Sequence, residues 1–265
     1  MTFPFYLGFG AWAVHPHLVF ECLGFLTAWL VYRRQRRLFG DTLPSSERAR
    51  VLVAAALGAV VGSKLLHWLE NPLLTWSQRH DLLYLMGGKT IVGGLLGGLL
   101  AVEWSRKRRG LIKASGDLFA IPLALGIAVG RLGCFLTGLD DADVGMPTHL
   151  PWGVNFGDGI PRHPTQLYEL CFALALAWAL TRLRFRMPRQ GDLFKLFMVS
   201  YLGFRLVVDF IKPVLRFGGL TVIQWAALFG LAWYARDIVR WVHDISGLDR
   251  NAQQGEQRHT APGNT

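Results

Sequence analysis

The sequence predicts an all-α polytopic membrane protein of about seven transmembrane helices, with the N-terminus outside and the C-terminus in the cytoplasm. Three observations predict it. Apolar segments close to membrane length recur along the 265 residues. Short basic clusters fall between alternate segments. Charged residues make up 17% of the chain, against about 25% in soluble domains. The formal charge of +10 does not signal nucleic acid. A nucleic-acid binder gathers its basic residues on a solvated domain with few long apolar runs.

Crossing roughly 30 Å of hydrocarbon takes about 20 helical residues. Seven segments approach that length, at about 17–32, 51–69, 90–105, 117–136, 165–181, 192–210 and 219–238. Their orientation follows from lysine and arginine, which collect in short cytoplasmic loops. "RRQRR" (33–37) with Arg48 and Arg50 follows the first segment, and "RKRR" (106–109) with Lys113 follows the third. Arg182, Arg184, Arg186 and Arg189 follow the fifth, and Arg236, Arg240, Arg250 and Arg258 follow the seventh. The alternate loops are poor in both, so every rich loop lies on one side. Residues 1–245 form one transmembrane domain, and the polar stretch 246–265 is expected to be a disordered cytoplasmic tail. The start, "MTFPFYLGFG", lacks a basic n-region, so the first span is expected to stay.

Cys22, Cys134 and Cys171 lie in or beside apolar segments without CxxC spacing. They predict small packing residues rather than a disulfide framework or zinc site. Residues 137–161, between the fourth and fifth segments, are rich in Gly, Asp and Pro. "GVNFGDGIP" carries hairpin chemistry around Gly157-Asp158-Gly159. With Trp152 and Phe156 it predicts an ordered outer loop lying as a lid on the interface.

Ionisable residues at membrane depth cost about 3 kcal/mol each on insertion scales, so each is a functional candidate. In "YLGFRLVVDF", Tyr201, Arg205 and Asp209 share one helical face at i, i+4 and i+8, where Arg205 and Asp209 can also neutralise each other. Lys212 lies beyond them and reads as an interfacial charge. Arg131 sits among Gly126, Gly130 and Gly133, which let a helix or ligand approach. An isolated arginine there could snorkel to the headgroups. A second arginine at comparable depth instead suggests that two guanidinium forks grip one phosphodiester. In "RHPTQLYE", His163 suits an N-cap ahead of Pro164, with Gln166 completing a capping box. The same helix start favours anions, and His163 can relay a proton. Glu169, a turn further in, needs a cation such as Arg131 or Arg162. His15, His17 and Glu21, with Lys64, His67 and Glu70, have spacing too generic to predict a metal site.

These residues resemble the prolipoprotein diacylglyceryl transferase family. The likeness rests on "GRLGCF…G" (130–145), "RHPTQLYE" (162–169) and "YLGFR…DF" (201–210), with "GGKTIVGGLLG" (87–97) and "LGF" (23–25) in support. It covers nearly the whole chain and implies a seven-span protein of the bacterial inner membrane, with its N-terminus outside. It also implies membrane lipids as partners, and transfer of a diacylglyceryl group from phosphatidylglycerol to the lipobox cysteine of a preprolipoprotein. The products are a thioether and glycerol-1-phosphate, with no metal or organic cofactor and no nucleic-acid partner. By motif, Arg131 and Arg205 correspond to the family's two headgroup arginines, and Gly145 to the signature's closing glycine. Arg162, His163, Gln166 and Glu169 correspond to the polar edge of the fifth span. Beside that, the residues themselves make Arg131 and Arg205 the catalytic pair. His163 orients groups or relays a proton, while Tyr201, Asp209 and His17 complete the substrate site.

Three positions depart from the family pattern. Val92 stands where the glycine-rich segment has histidine, Cys134 where the signature has asparagine, and His17 where the first span has tyrosine. His17 and His163 remain as imidazoles able to take the acceptor's proton. A related enzyme with a similar phospholipid cradle and another acceptor would carry the same departures; a non-catalytic lipid-binding membrane protein is the remaining alternative.

Overall fold

A computed structural model of the protein describes residues 3–9, 12–111, 113–141, 143–187 and 189–244. The tail assigned to 246–265 lies outside them. Each of the seven apolar segments is helical. They correspond to α1 (Pro16–Phe39), α2 (Ser45–Glu70), α5 (Ile91–Arg108), α6 (Asp117–Thr137), α7 (Thr165–Leu183), α8 (Asp192–Val208) and α9 (Val222–Trp233). Helical turns resume over 235–244. Two short helices not predicted, α3 (Pro72–Ser77) and α4 (Leu82–Met86), sit between α2 and α5. By length and composition, Ser45–Glu70 and Asp117–Asp140 are long and apolar enough to cross a membrane.

Local chemistry sets the helix starts. The His15 ring accepts from the backbone N–H of His17 at 3.3 Å, and Thr90 Oγ1 accepts from Gly93 N at 3.2 Å. Thr221 and Gln224 form a reciprocal capping box ahead of α9. The predicted caps of α7 do not form. Pro164 is its N-cap residue and no side chain caps it, so His163 and Gln166 are free of that duty.

Helix α6 is central, packing along α1, α7 and α8, while α2 packs along α5 and α8 along α9. Glycine makes the closest approaches. A Cβ on Gly24 would meet Gly126 O at 2.8 Å, and one on Gly126 would meet Gly24 O at 3.0 Å. Small residues matter here because helices in lipid gain their association from packing rather than from expulsion of water.

The surface is inverted relative to a soluble protein. Phe25, Leu57, Trp104, Trp178 and Phe229 are exposed, whereas Arg48, Arg131, Glu169, Arg205 and Asp209 are almost wholly buried. An apolar exterior of this extent suits lipid, where chain polarity must be satisfied internally. The core proper is aliphatic and aromatic, around Leu180, Phe197, Met198, Leu202 and Ala227.

Because α6, α7 and α8 alternate in direction, the C-terminal end of α6, the start of α7 and the C-terminal end of α8 converge. At the opposite end Asp117 accepts from Gly191 N (2.6 Å) and Phe194 N (3.0 Å), tying α6 to α8. There the buried Arg48 pairs with Asp41 and donates to Ser115 O at 3.2 Å. At the convergent end the loop after α6 forms a hairpin of β1 (Val154–Asn155) and β2 (Pro161–Arg162), where the turn chemistry placed it. Asn155 Oδ1 accepts from Gly157 N at 2.8 Å and Gly159 N at 3.0 Å. Phe156 is buried against Phe3 and Phe135, with ring centroids 5.1 and 5.8 Å away, while Trp152 stays exposed.

Gly24→Val should therefore lower the thermal midpoint in detergent, since overpacking costs about 1–3 kcal/mol. In Gly130→Ala the added methyl meets no atom beyond its chain neighbours and its own helix backbone within 4 Å among the described residues. It should leave the midpoint unchanged or raise it, because alanine is the better helix former by about 1 kcal/mol. Equal losses in both variants would mean that the α1–α6 approach is not limiting.

Candidate active site

Arg131 on α6, Glu169 on α7, and Tyr201 and Arg205 on α8 meet at the convergent end. Glu169 is shared. Its Oε1 lies 2.9 Å from Arg131 Nε and accepts from Tyr201 Oη at 2.5 Å, while its Oε2 lies 3.8 Å from Arg205 Nη1. The Arg131 contact is an ion pair rather than a hydrogen bond, because Nε–H is not aimed at the carboxylate. Arg205 Nε and Nη2 also donate to Asp209 Oδ1 at 3.2 and 2.9 Å, as the i, i+4 spacing predicts. The two arginines thus face each other across a carboxylate, not across an open cavity.

Two further residues enter from the flanks. Lys212 is not an interfacial charge. It is buried, pairs with Asp143, and lies 3.7 Å from Asp209 Oδ1. The chain turns back into the protein after Asp209–Ile211, which carries Lys212 inward. Asp143, in the loop after α6, also pairs with Arg131. Burial alone would raise its carboxyl pKa, but Arg131, Lys212 and Arg205 outweigh that and hold it well below the usual range. Three cations therefore balance three carboxylates, which a buried charge cluster requires. Asp143 is the member nearest solvent, its side chain 30% exposed.

Gln166 is buried beside this cluster, and among the described residues neither end of its amide has a partner; nor does Asp209 Oδ2. Gly145 lies where a Cβ would meet His163 Cβ and O at 2.6 Å, and its N–H donates to His163 O at 3.1 Å. Its part is to let the loop lie close over the segment leading into α7.

Two motif residues are not brought into the cluster. The His163 ring faces Tyr168, with Nδ1 3.2 Å from Oη, and Tyr168 also accepts from Trp152 Nε1 at 2.8 Å. Arg162 turns onto the hairpin, pairing with Asp158 at 2.5 Å. The extended backbone before Thr165 sends these side chains elsewhere than the helical face that carries Glu169.

His17 lies at the opposite edge of the cluster, close to Cys134 and Asp141. Its Nδ1 is 3.7 Å from Cys134 Sγ and 3.8 Å from Asp141 Oδ2, and one donor atom from each of the three lies within 4.8 Å of the others. These three could hold a metal ion. Arg131 Nη1 is 3.7 Å from the same sulfur, one turn away on α6. Val92 is fully buried in the apolar core and brings no titratable group to the site. His67 pairs with Glu70 at 3.3 Å, and Lys64 donates to Gly88 O at 2.8 Å; neither contact involves the arginine cluster.

Known proteins supply the context. Residues 4–236 match the prolipoprotein diacylglyceryl transferase family. The chain is similar to the phosphatidylglycerol–prolipoprotein diacylglyceryl transferase of Bordetella bronchiseptica, at 32% identity over 85% of this chain and 90% of that protein. It is also similar to those of Geobacter sulfurreducens (32% identity, 72% of this chain and 74% of that protein) and Pseudomonas aeruginosa (30%, 83% and 86%).

Removing Glu169 leaves two buried guanidiniums facing each other. Glu169→Ala should destabilise the protein in detergent by about 3–5 kcal/mol. Asp158→Ala, which breaks an exposed pair on the hairpin, should barely move the unfolding midpoint. Matching losses would displace Glu169 from the centre of the site.

Proposed function

The chain belongs to the prolipoprotein diacylglyceryl transferase family, and we propose that it transfers the diacylglyceryl group of phosphatidylglycerol to the lipobox cysteine thiol of a preprolipoprotein, the first step of lipoprotein maturation. The observation that carries this reading for the residues themselves is the meeting of Arg131 and Arg205 from separate helices around one anionic group. The acceptor's thiol gives up its proton, and its sulfur attacks the phosphate-bearing carbon of the diacylated glycerol; a C–S bond forms, and the bond from that carbon to the phosphate oxygen breaks. The electron pair leaves on the phosphate of glycerol phosphate. Charge builds on that phosphate, and fixed guanidiniums in a water-poor site stabilise it as it develops.

Asp143 supports a position for the headgroup. It bridges Arg131 and Lys212 as a phosphate oxygen would, and it is the member of the cluster nearest solvent. A lipid phosphate takes its place there. The unpartnered Gln166 amide meets a headgroup hydroxyl, while Tyr201 and Asp209 hold Glu169 and Arg205 in position. Gly145, Arg162 and His163 act through the loop rather than on the reacting atoms. Seven spans, an outer N-terminus and a cytoplasmic C-terminus in a bacterial inner membrane complete the reading, supported by the alternation of basic loops.

In vesicles containing phosphatidylglycerol, with a lipobox peptide as acceptor, Arg131→Ala should cut transfer at least about 100-fold, as expected for loss of a transition-state charge stabiliser. The rate is taken per folded protein, because loss of Arg131 also leaves Glu169 and Asp143 short of a cation. A retained rate would remove Arg131 from the site. Complementation of a strain conditionally lacking the transferase tests the acceptor. Failure despite good expression would favour a different nucleophile, the reading that Val92 in the apolar core supports.

A further inference from the structure

We infer that His17, Cys134 and Asp141 form a zinc site whose open position receives the acceptor thiol. The inference rests on the transfer reading above for its purpose, but not for its geometry. A tetrahedral zinc ion with bonds of about 2.0–2.3 Å holds its ligand atoms about 3.3–3.8 Å apart. His17 Nδ1 stands 3.7 Å from Cys134 Sγ and 3.8 Å from Asp141 Oδ2, and all three donors lie within 4.8 Å. Little movement would close them on an ion.

The donor set suits the metal. One thiolate, one imidazole and one carboxylate form a borderline-soft mixture of sulfur, nitrogen and oxygen, which favours zinc over calcium or magnesium. The complex would be neutral, since two anionic ligands cancel a divalent charge. A neutral complex is tolerable beside the balanced arginine cluster, where a bare cation would not be. The surroundings also resemble a ligand shell. Glu21 Oε2 lies 3.8 Å from His17 Nε2, on the side of the ring away from the ion, and Glu21 is itself paired with Lys89. At that distance Glu21 is an electrostatic neighbour of the ring rather than a hydrogen-bond partner; a small closure would make it the carboxylate that orients a ligating histidine. Asp141 Oδ1 accepts from Asp143 N at 2.8 Å, which orients the carboxylate.

Three protein ligands leave one position open, as in catalytic rather than structural zinc sites. Access is from the side of His17, whose side chain is 35% exposed, whereas Cys134 and Asp141 are enclosed. A thiol bound there gives its proton to solvent and becomes a thiolate. The sulfur then lies next to Arg131, which contacts Cys134 from one turn away. Attack on the glycerol carbon forms the C–S bond and expels glycerol phosphate, which ends as the protonated monoester. The neutral thioether product is a poorer ligand and departs. This supplies the activation that Val92, in the apolar core, does not.

The test uses full-length protein in detergent, stripped with a chelator and reloaded with Zn²⁺ or Co²⁺. Wild type should bind one Zn²⁺ per chain, and its Co²⁺ form should show a thiolate-to-metal charge-transfer band. Cys134→Ser should lose that band. His17→Asn, at a part-exposed position, and Asp141→Asn should weaken Co²⁺ binding by more than about 100-fold, beyond the range of an outer-shell change. A Co²⁺ spectrum without the charge-transfer band, or affinity unchanged in His17→Asn, overturns the site. Transfer activity is measured in parallel. Metal-free protein that transfers at the full rate sinks the thiol-activating role. Metal binding without any transfer upholds the site and counts against the transferase reading instead.

Discussion

A single carboxylate, Glu169, lies within ion-pair distance of two arginines that come from different helices and would otherwise repel each other. Buried guanidiniums are tolerable only when anions are close at hand, and the rest of the convergent end follows from that requirement. Tyr201 holds Glu169 from one side, Asp209 holds Arg205, and Asp143 reaches in from the loop to hold Arg131 and Lys212. Each partner sits on a different stretch of chain, so the charge balance also fastens α6, α7 and α8 to the loop above them. The same charges that favour an anionic ligand therefore fix the architecture around it.

The outside of the molecule answers to a different constraint. Apolar side chains cover the helices, so water is not what presses them together, and contact must come from fit. The Gly24–Gly126 approach lets α1 lie against α6 closely enough to bring His17 beside Cys134. A packing requirement on one part of the helix pair thus positions chemistry on another.

Much of this was legible in the residues. Apolar length and basic loops located the seven helical segments, and Arg131 and Arg205 stood out as charges within apolar runs. The spacing of Tyr201, Arg205 and Asp209 reported a shared face because helical geometry is regular. Other parts were hidden for physical reasons. Lys212 follows the end of α8, where sequence gives no sign that the backbone folds back inward. Asp143 lies in a loop without periodicity, so nothing marked it from Asp140 or Asp158. Arg162 and His163 adjoin Glu169 in a motif, yet extended backbone turned them away from the helical face. His17 and Cys134 lie on separate helices, and only packing brings them together.

Asp143 hangs from the strand of chain that also carries the hairpin, and its carbonyl is held by Thr165 at the head of α7. Gly145 N donates to His163 O at 3.1 Å and Met146 N to Ile211 O at 2.8 Å, so the same short stretch is stitched by backbone bonds to the segments before α7 and after α8. The carboxylate nearest solvent is thus held by its own main chain as well as by the cations it meets.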